Sequence, residues 1–396
     1  MTIRLPAGLA LAACLVAGGA TAQAPGPTQG VSANQITLGT IQDLSGPLAA
    51  YGKQTRNGLQ MYFDELNARG GIHGRRVNLI VEDSAYDPRK ALLAAQKLVN
   101  SDRIFMMVGH IGTAQNMAAM PVQFERNVPN FMPVTAAREM YLPPQPLKMA
   151  FATAYYDQLH TMLPGIVRER GLKRACVVYQ DDEFGLEVVR GGEAALQTLN
   201  QTYVERASFK RGATEFSSQV ARLKAANCDL VVMGTIIRET VGVLAEAKKV
   251  GLEAVFVGTS AAYTHLIPQL GGAVAEGFYA MMTTAHPYPD DPSPQIREWA
   301  QRYKARFGED PTVFSAYGWQ IGNLFYEAAM KAGQSLTVES FLRAIEQPYG
   351  TDMFDSQGCR ITAQNRLCNN SARLSQIRNG RWVIIGNWVH GATPTH

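Results

Sequence analysis

Ile36-Thr37-Leu38-Gly39-Thr40-Ile41 alternates apolar with polar positions and ends in a Ser45-Gly46-Pro47 turn, which predicts a strand over residues 36–41. Leu59, Met61, Tyr62, Phe63 and Leu66 then fall at helical spacing, predicting a helix over 54–68 that Gly70-Gly71 stops. Strands at 77–81, 104–108 and 130–134 follow, alternating with helices at 88–100 and 113–126. The pattern then restarts, with helices at 160–170, 183–199, 217–226 and 241–250 between strands at 175–179, 203–209, 230–233 and 255–257. Strands and helices in this alternation predict an α/β chain of two βαβ-built units with parallel sheets and helices on both faces. A ligand site is expected between the units, at the carboxyl ends of the strands. A Pro/Asp-rich connector over 287–294 leads to helices at 293–307, 314–332 and near 338–345. The end of the chain reads as a hairpin, 374–377 and 382–388 about Asn379-Gly380.

The first residues decide the compartment. Arg4, an apolar stretch from 5 to 16 and the small residues Ala20-Thr21-Ala22 follow the order of a cleaved secretory signal, which predicts export and a mature chain beginning near Gln23. Pro6 and Gly18-Gly19 leave the stretch short of the roughly 20 apolar residues of a membrane span. Leu11-Ala12-Ala13-Cys14 offers a second reading, a lipoprotein box with lipidation at Cys14. Without the leader four cysteines remain, in an oxidising compartment. Cys359 and Cys368 flank a polar segment and are expected to be bridged; Cys176 and Cys228 open two β-like runs and are either paired or two buried thiols.

The 396 residues carry 37 Lys and Arg against 33 Asp and Glu, with no basic run, so no nucleic-acid partner is expected. Seven His and five Cys lack HExxH, CxxC or any paired ligand spacing, so no metal is expected, and no cofactor either. There is no GxSxG elbow, no GxGxxG after the first strand and no GxxxxGK[ST], which argues against an enzyme. Asp181-Asp182-Glu183 reads as a helix cap rather than a cation site. Loops after the strands instead carry Tyr51-Gly52, Gly109-His110-Ile111-Gly112-Thr113, Val134-Thr135-Ala136, Phe184-Gly185, residues 235–238 and Thr259-Ser260, groups suited to holding a small polar molecule.

Ser45-Gly46-Pro47-Leu48-Ala49-Ala50-Tyr51-Gly52, Asp64-Glu65-Leu66-Asn67-Ala68-Arg69-Gly70-Gly71-Ile72-His73-Gly74-Arg75 and Glu82-Asp83-Ser84 with Asp87-Pro88 strongly resemble the leucine/isoleucine/valine-binding family of periplasmic receptors for ABC importers. The likeness continues through Val128-Pro129, Met132-Pro133, residues 181–185 and Lys248 with Val250-Gly251-Leu252, and spans about residues 34–390. It implies two Rossmann-like lobes joined by a three-crossover hinge, closing on ligand as a trap. The implied division is a signal peptide over 1–22, a first lobe from 31–152 plus 286–350 and a second from 153–285 plus 351–390. The implied partners are a small-molecule ligand and an inner-membrane ABC permease.

By the same resemblance Tyr51 and Tyr317 are aromatic walls, Thr113 binds a carboxylate, and Val134 and Thr135 add a second contact to it. Phe184 stands where a Tyr is common. Ser260 stands where amino-acid binders carry the acid that meets the α-ammonium, a departure that favours an organic or aromatic acid over an amino acid. Arg238 is the candidate second-lobe cation. Each residue also has a plain structural reading: core packing for the tyrosines, a helix cap for Thr113, a solvated helix-start arginine for Arg238. A branched-chain amino-acid receptor, a sensor module and, from another class, a secreted hydrolase are the rival functions.

Overall fold

A computed structural model describes Met1, residues 28–354 and residues 357–391. The leader and Cys14 lie outside the described residues. Strands β1 (Gln35–Gln42), β2 (Arg76–Asp83), β3 (Met106–Val108), β4 (Asn130–Phe131) and β5 (Lys148–Met149) form a parallel sheet in the order β2-β1-β3-β4-β5. Helices α1 (Ala49–Ala68), α2 (Pro88–Gln96) and α3 (Thr113–Glu125) connect them.

The second unit contains α4 (Tyr155–Arg170), β6 (Ala175–Gln180), α5 (Glu183–Gln197), β7 (Glu205–Phe209), α6 (Ser217–Ala225), β8 (Leu230–Gly234), α7 (Arg238–Val250), β9 (Val255–Gly258), α8 (Leu266–Gly271) and β10 (Tyr279–Met282). The chain then returns to the first unit with α9 (Pro294–Phe307), α10 (Val313–Ala332) and α11 (Val338–Ile345), α10 lying along α1. It ends with β11 (Ser371–Arg378), β12 (Arg381–Ile384) and β13 (Val389–His390) on the second sheet, whose order is β12-β11-β10-β9-β8-β6-β7. The fold is therefore α/β with two Rossmann-like lobes and three crossings between them.

Several elements differ from the sequence reading in their bounds, and β5, α8 and β10 were not read from it; α4 and β10 show the local reasons. α4 starts at Tyr155, five residues before its apolar spacing becomes regular, because the backbone N–H of Tyr155 is held by the Ala136 carbonyl across the first crossing (2.7 Å). β10 is a four-residue run, Tyr-Ala-Met-Met, buried at every position, so it shows no alternation to read. Among the described residues no helix is long and apolar enough to cross a membrane, and no group of three or more His, Cys, Asp or Glu could hold a metal ion.

Both cysteine pairs are disulfides. Cys176–Cys228 joins the start of β6 to the residues before β8, two hydrogen-bonded neighbours, which settles the question left open by the sequence. Cys359–Cys368 closes the neck of the third crossing, and both sulfurs belong to the first lobe's core with Met149 and Tyr349. The segment between them is not simply a solvated loop. The Arg366 side chain is buried, its guanidinium bonded to the carbonyls of Pro146, Lys148 and Thr362 and to Glu346.

Burial takes the His110 imidazole down to about 3, and takes His286 well below its ordinary range with help from His265 and Arg381. Both refuse, when folded, a proton that the unfolded chain accepts near pH 6.5, so their stability is present above that value and lost as pH falls. Between pH 7 and pH 5 His110 is expected to cost about 2 kcal/mol of folding stability, and His286 acts in the same direction. Urea unfolding across that range is the measurement, and a free energy that stays flat would contradict it.

Candidate functional site

The two lobes present their carboxyl strand ends to each other across an interlobe chamber, seen as two small adjoining cavities that share Val134, Thr135, Tyr155, Ala261 and Phe314. Each lobe delivers an aromatic ring to it by the same local device. After β1 the Asp43 carboxylate accepts the backbone N–H groups of Gly46 and Leu48, which turns the chain into α1. Tyr51 then points into the chamber and Gly52 lies against the strand end, where a Cβ would sit 2.0 Å from the Asp43 carbonyl oxygen. After β6, Asp182 caps α5 by accepting the Gly185 N–H (3.2 Å); Phe184 faces the chamber, and a Cβ on Gly185 would sit 1.9 Å from the Gln180 carbonyl oxygen. An aromatic-glycine pair in each first helical turn thus fixes one ring per lobe, because only glycine lets helix and strand approach so closely.

Thr113 opens α3, where the first amides of a helix have no acceptor of their own and favour negative charge. Its hydroxyl is 2.6 Å from that of Thr135, which follows the short bridge between Ile111 and Val134. Both threonines are nearly buried, at 1% and 8% exposure, yet line the chamber. Ser260 lines the opposite wall; its N–H donates to the Gln158 side chain (2.8 Å) and its Oγ accepts from the Gln158 amide (2.9 Å), which leaves the hydroxyl proton for the chamber.

Seven of the eight residues read from the sequence are brought together here: Tyr51, Thr113, Val134, Thr135, Phe184, Ser260 and Tyr317. Arg238 is not. It is exposed at the first position of α7 and lines neither cavity, because the helix turns it outward while Glu239 turns inward. Glu239 is buried behind the wall, its carboxylate accepting the backbone N–H groups of Ile236 and of Glu239 itself, and burial raises it above the usual carboxylate range.

Four rings were missed by the sequence reading. Tyr86 is swung inward by a left-handed backbone (φ 58°) ahead of α2; Phe151 sits on the first crossing, Tyr155 opens α4 and Phe314 opens α10. Only Tyr86, beside the Asp87-Pro88 motif, had a local signal. Phe314 stacks on Tyr51 (3.6 Å between centroids, 18°), and Tyr155 packs edge-on to Phe184 (5.2 Å). Burial pushes the phenols of Tyr51, Tyr86, Tyr155 and Tyr317 upward, so they stay neutral. Among the described residues no charged side chain lines the two cavities. The chamber is apolar and aromatic, with hydroxyls and helix-start amides as its polar groups.

A family model described as periplasmic binding protein matches residues 35–381. The chain belongs to the periplasmic binding protein family. The Leu/Ile/Val-binding protein of Escherichia coli (strain K12) is 28% identical over 245 residues, which is 62% of this chain and 66% of that one. Among solved structures, an ABC transporter solute-binding protein from R. palustris in complex with benzoate has a TM-score of 0.79 at 18% identity, covering 92% of this chain and 99% of that one. A branched-chain amino-acid ABC transporter protein from Thermus thermophilus with bound valine has a TM-score of 0.81 at 20% identity, covering 91% and 98%.

Contacts between the lobes show this periplasmic binding protein closed. The Tyr51 hydroxyl of the first lobe donates to the Ala261 carbonyl of the second (3.0 Å). Arg138 of the first lobe meets the buried Glu187 of α5 (2.7 Å) and lies over the Tyr156 ring, while Arg190 of α5 bonds both Glu187 and Glu139. The Arg138–Glu187 pair joins the two lobes, so it favours closure. Glu187→Gln is expected to move the closed–open equilibrium of the unliganded protein about tenfold toward open, the scale of one charge-assisted hydrogen bond. Small-angle scattering reads this as a larger radius of gyration, and an unchanged radius would contradict it.

Proposed function

We propose that the chain is a periplasmic receptor that captures one small carboxylate-bearing solute, an organic or aromatic acid, between its lobes and delivers it to the inner-membrane permease of an ABC importer. The observation that carries this reading is the chamber's lining: the Thr113 hydroxyl at a helix start with that of Thr135 beside it, aromatic rings around, and no charged side chain among the described residues. Neutral donors and a helix N-terminus accommodate an anion. A buried ammonium, by contrast, needs a carboxylate, and Ser260 is not one.

The structural neighbour with benzoate is consistent with such a ligand, and the relatives named for leucine, isoleucine and valine define the second reading. That reading would require Glu239 to reach past Ile236. The hydrolase reading has no nucleophile–base pair to support it in the chamber, whose lining holds neither Cys nor His among the described residues. Benzoate at a hundred times its Kd is expected to stabilise the protein by about 2.7 kcal/mol and to be recovered unchanged after long incubation. Thermal unfolding with chromatographic recovery of ester and acid panels is the test. Stabilisation by leucine alone would favour the amino-acid receptor, and product formation would favour a hydrolase.

A further inference from the structure

Phe151 and Ala152 line the chamber on one face and, on the other, a further cavity of ≈ 170 Å³ at the hinge. All three crossings contribute to that cavity: Phe151 from the first, Thr283 from the second and Gly358 from the third, with Gln320 and Asn323 of α10 as its floor. The partition between the two spaces is thin. Phe151 meets Tyr317 edge-to-face (5.8 Å), and the Tyr317 hydroxyl is 2.8 Å from that of Thr283. Phe151 is partly buried and packs against the cores of both lobes.

The voids therefore run in a row, from the α3 N-terminus through the aromatic chamber to the hinge. Their chemistry changes along the row. Among the described residues the hinge cavity's lining holds the amides of Gln320, Asn323 and Asn369 and the carboxylates of Glu327 and Asp352, with no Lys or Arg; Gln320 donates to Asp352 and Asn323 to Glu327, and their amide oxygens, which accept from Thr284 and Tyr62, each keep a second lone pair. Such a lining accepts hydrogen bonds from a hydroxyl or amine and repels a second carboxylate.

We propose that the hinge cavity is a subsite for the far end of an elongated solute. The carboxylate sits at Thr113 and Thr135, the apolar body fills the chamber, and a hydroxyl or amine passes Phe151 to reach Gln320 and Asn323. Phe151 with Tyr317 is the length gate. Because the occupied cavity is built from the three crossings, a solute that reaches it also braces the hinge in its closed setting. This rests on the carboxylate reading above and adds to it the length and the terminal group of the solute.

Calorimetry with benzoate, 4-hydroxyphenylpropionate and 4-carboxyphenylpropionate, on the wild type and on Asn369→Phe, which fills the cavity, tests it. The long hydroxy acid is expected to bind about tenfold more tightly than the long diacid in the wild type, the scale of one buried hydrogen bond. Asn369→Phe is expected to remove that advantage while leaving benzoate unchanged. Thr351→Trp, at an exposed position of the same wall, serves if Asn369→Phe does not fold. Benzoate binding with both long acids excluded, or equal binding of the long acids, would overturn the subsite and leave the carboxylate reading standing. Binding of none of the three would remove the carboxylate reading and the subsite with it.

Discussion

Ser260→Glu is expected to weaken organic-acid binding by more than a hundredfold. Ser260 is 7% exposed on the chamber wall opposite Thr113 and Thr135, and among the described residues the cavity lining offers no cation to neutralise a new carboxylate. Two like charges ~5 Å apart at an effective dielectric of ~20 repel by about 3 kcal/mol, which exceeds two orders of magnitude in Kd. The same substitution supplies the acid that a zwitterion lacks in the wild type, so leucine affinity is expected to rise as acid affinity falls. Ser260→Ala keeps the chamber neutral, removes one hydroxyl, and is expected to cost far less. Calorimetry on the two variants separates the cases. Equal losses in both would mean that Ser260 acts through its hydrogen bonds to Gln158 and not through the charge balance of the site.

Removal of the Cys176–Cys228 bridge is expected to produce the largest stability loss. The bridge spans 52 positions against 9 for Cys359–Cys368, so the chain-entropy model assigns about 4 kcal/mol to the first and about 2.6 kcal/mol to the second. Both sulfurs of the longer bridge are buried in the second lobe's core, where alanines also lose packing. Cys176→Ala/Cys228→Ala should therefore unfold at a clearly lower urea concentration than Cys359→Ala/Cys368→Ala. The reverse order would contradict this assignment.

The alternation of strands and helices was legible because most elements carry regular apolar spacing, and the two α/β units follow from it. Where the reading stopped short, tertiary contacts had replaced local pattern. α4 begins at a residue fixed by the Ala136 carbonyl, and β10 is buried on both faces. The chamber shows the same division. Thr113, Thr135, Tyr51 and Phe184 lie in the loops that follow strands, which sequence can locate. Phe151 and Phe314 lie on a crossing and at the start of a helix from the far end of the chain, and only the packing of α10 along α1 brings Phe314 onto Tyr51. Arg238 was misplaced by one helical step: its neighbour Glu239 takes the inward position, and a sequence cannot set that phase within a helix's first turn.

The central claim is that this chamber holds a carboxylate without an ammonium. Titration of the purified protein with leucine and with its keto acid, 4-methyl-2-oxopentanoate, tests it directly, because the two share the same branched body and differ where the α-carbon carries its substituent. The keto acid is expected to bind at least tenfold more tightly, since the ammonium would be buried in the chamber without a partner. Tight leucine binding with no response to the keto acid would contradict the claim and would point to Glu239 as the ammonium's partner.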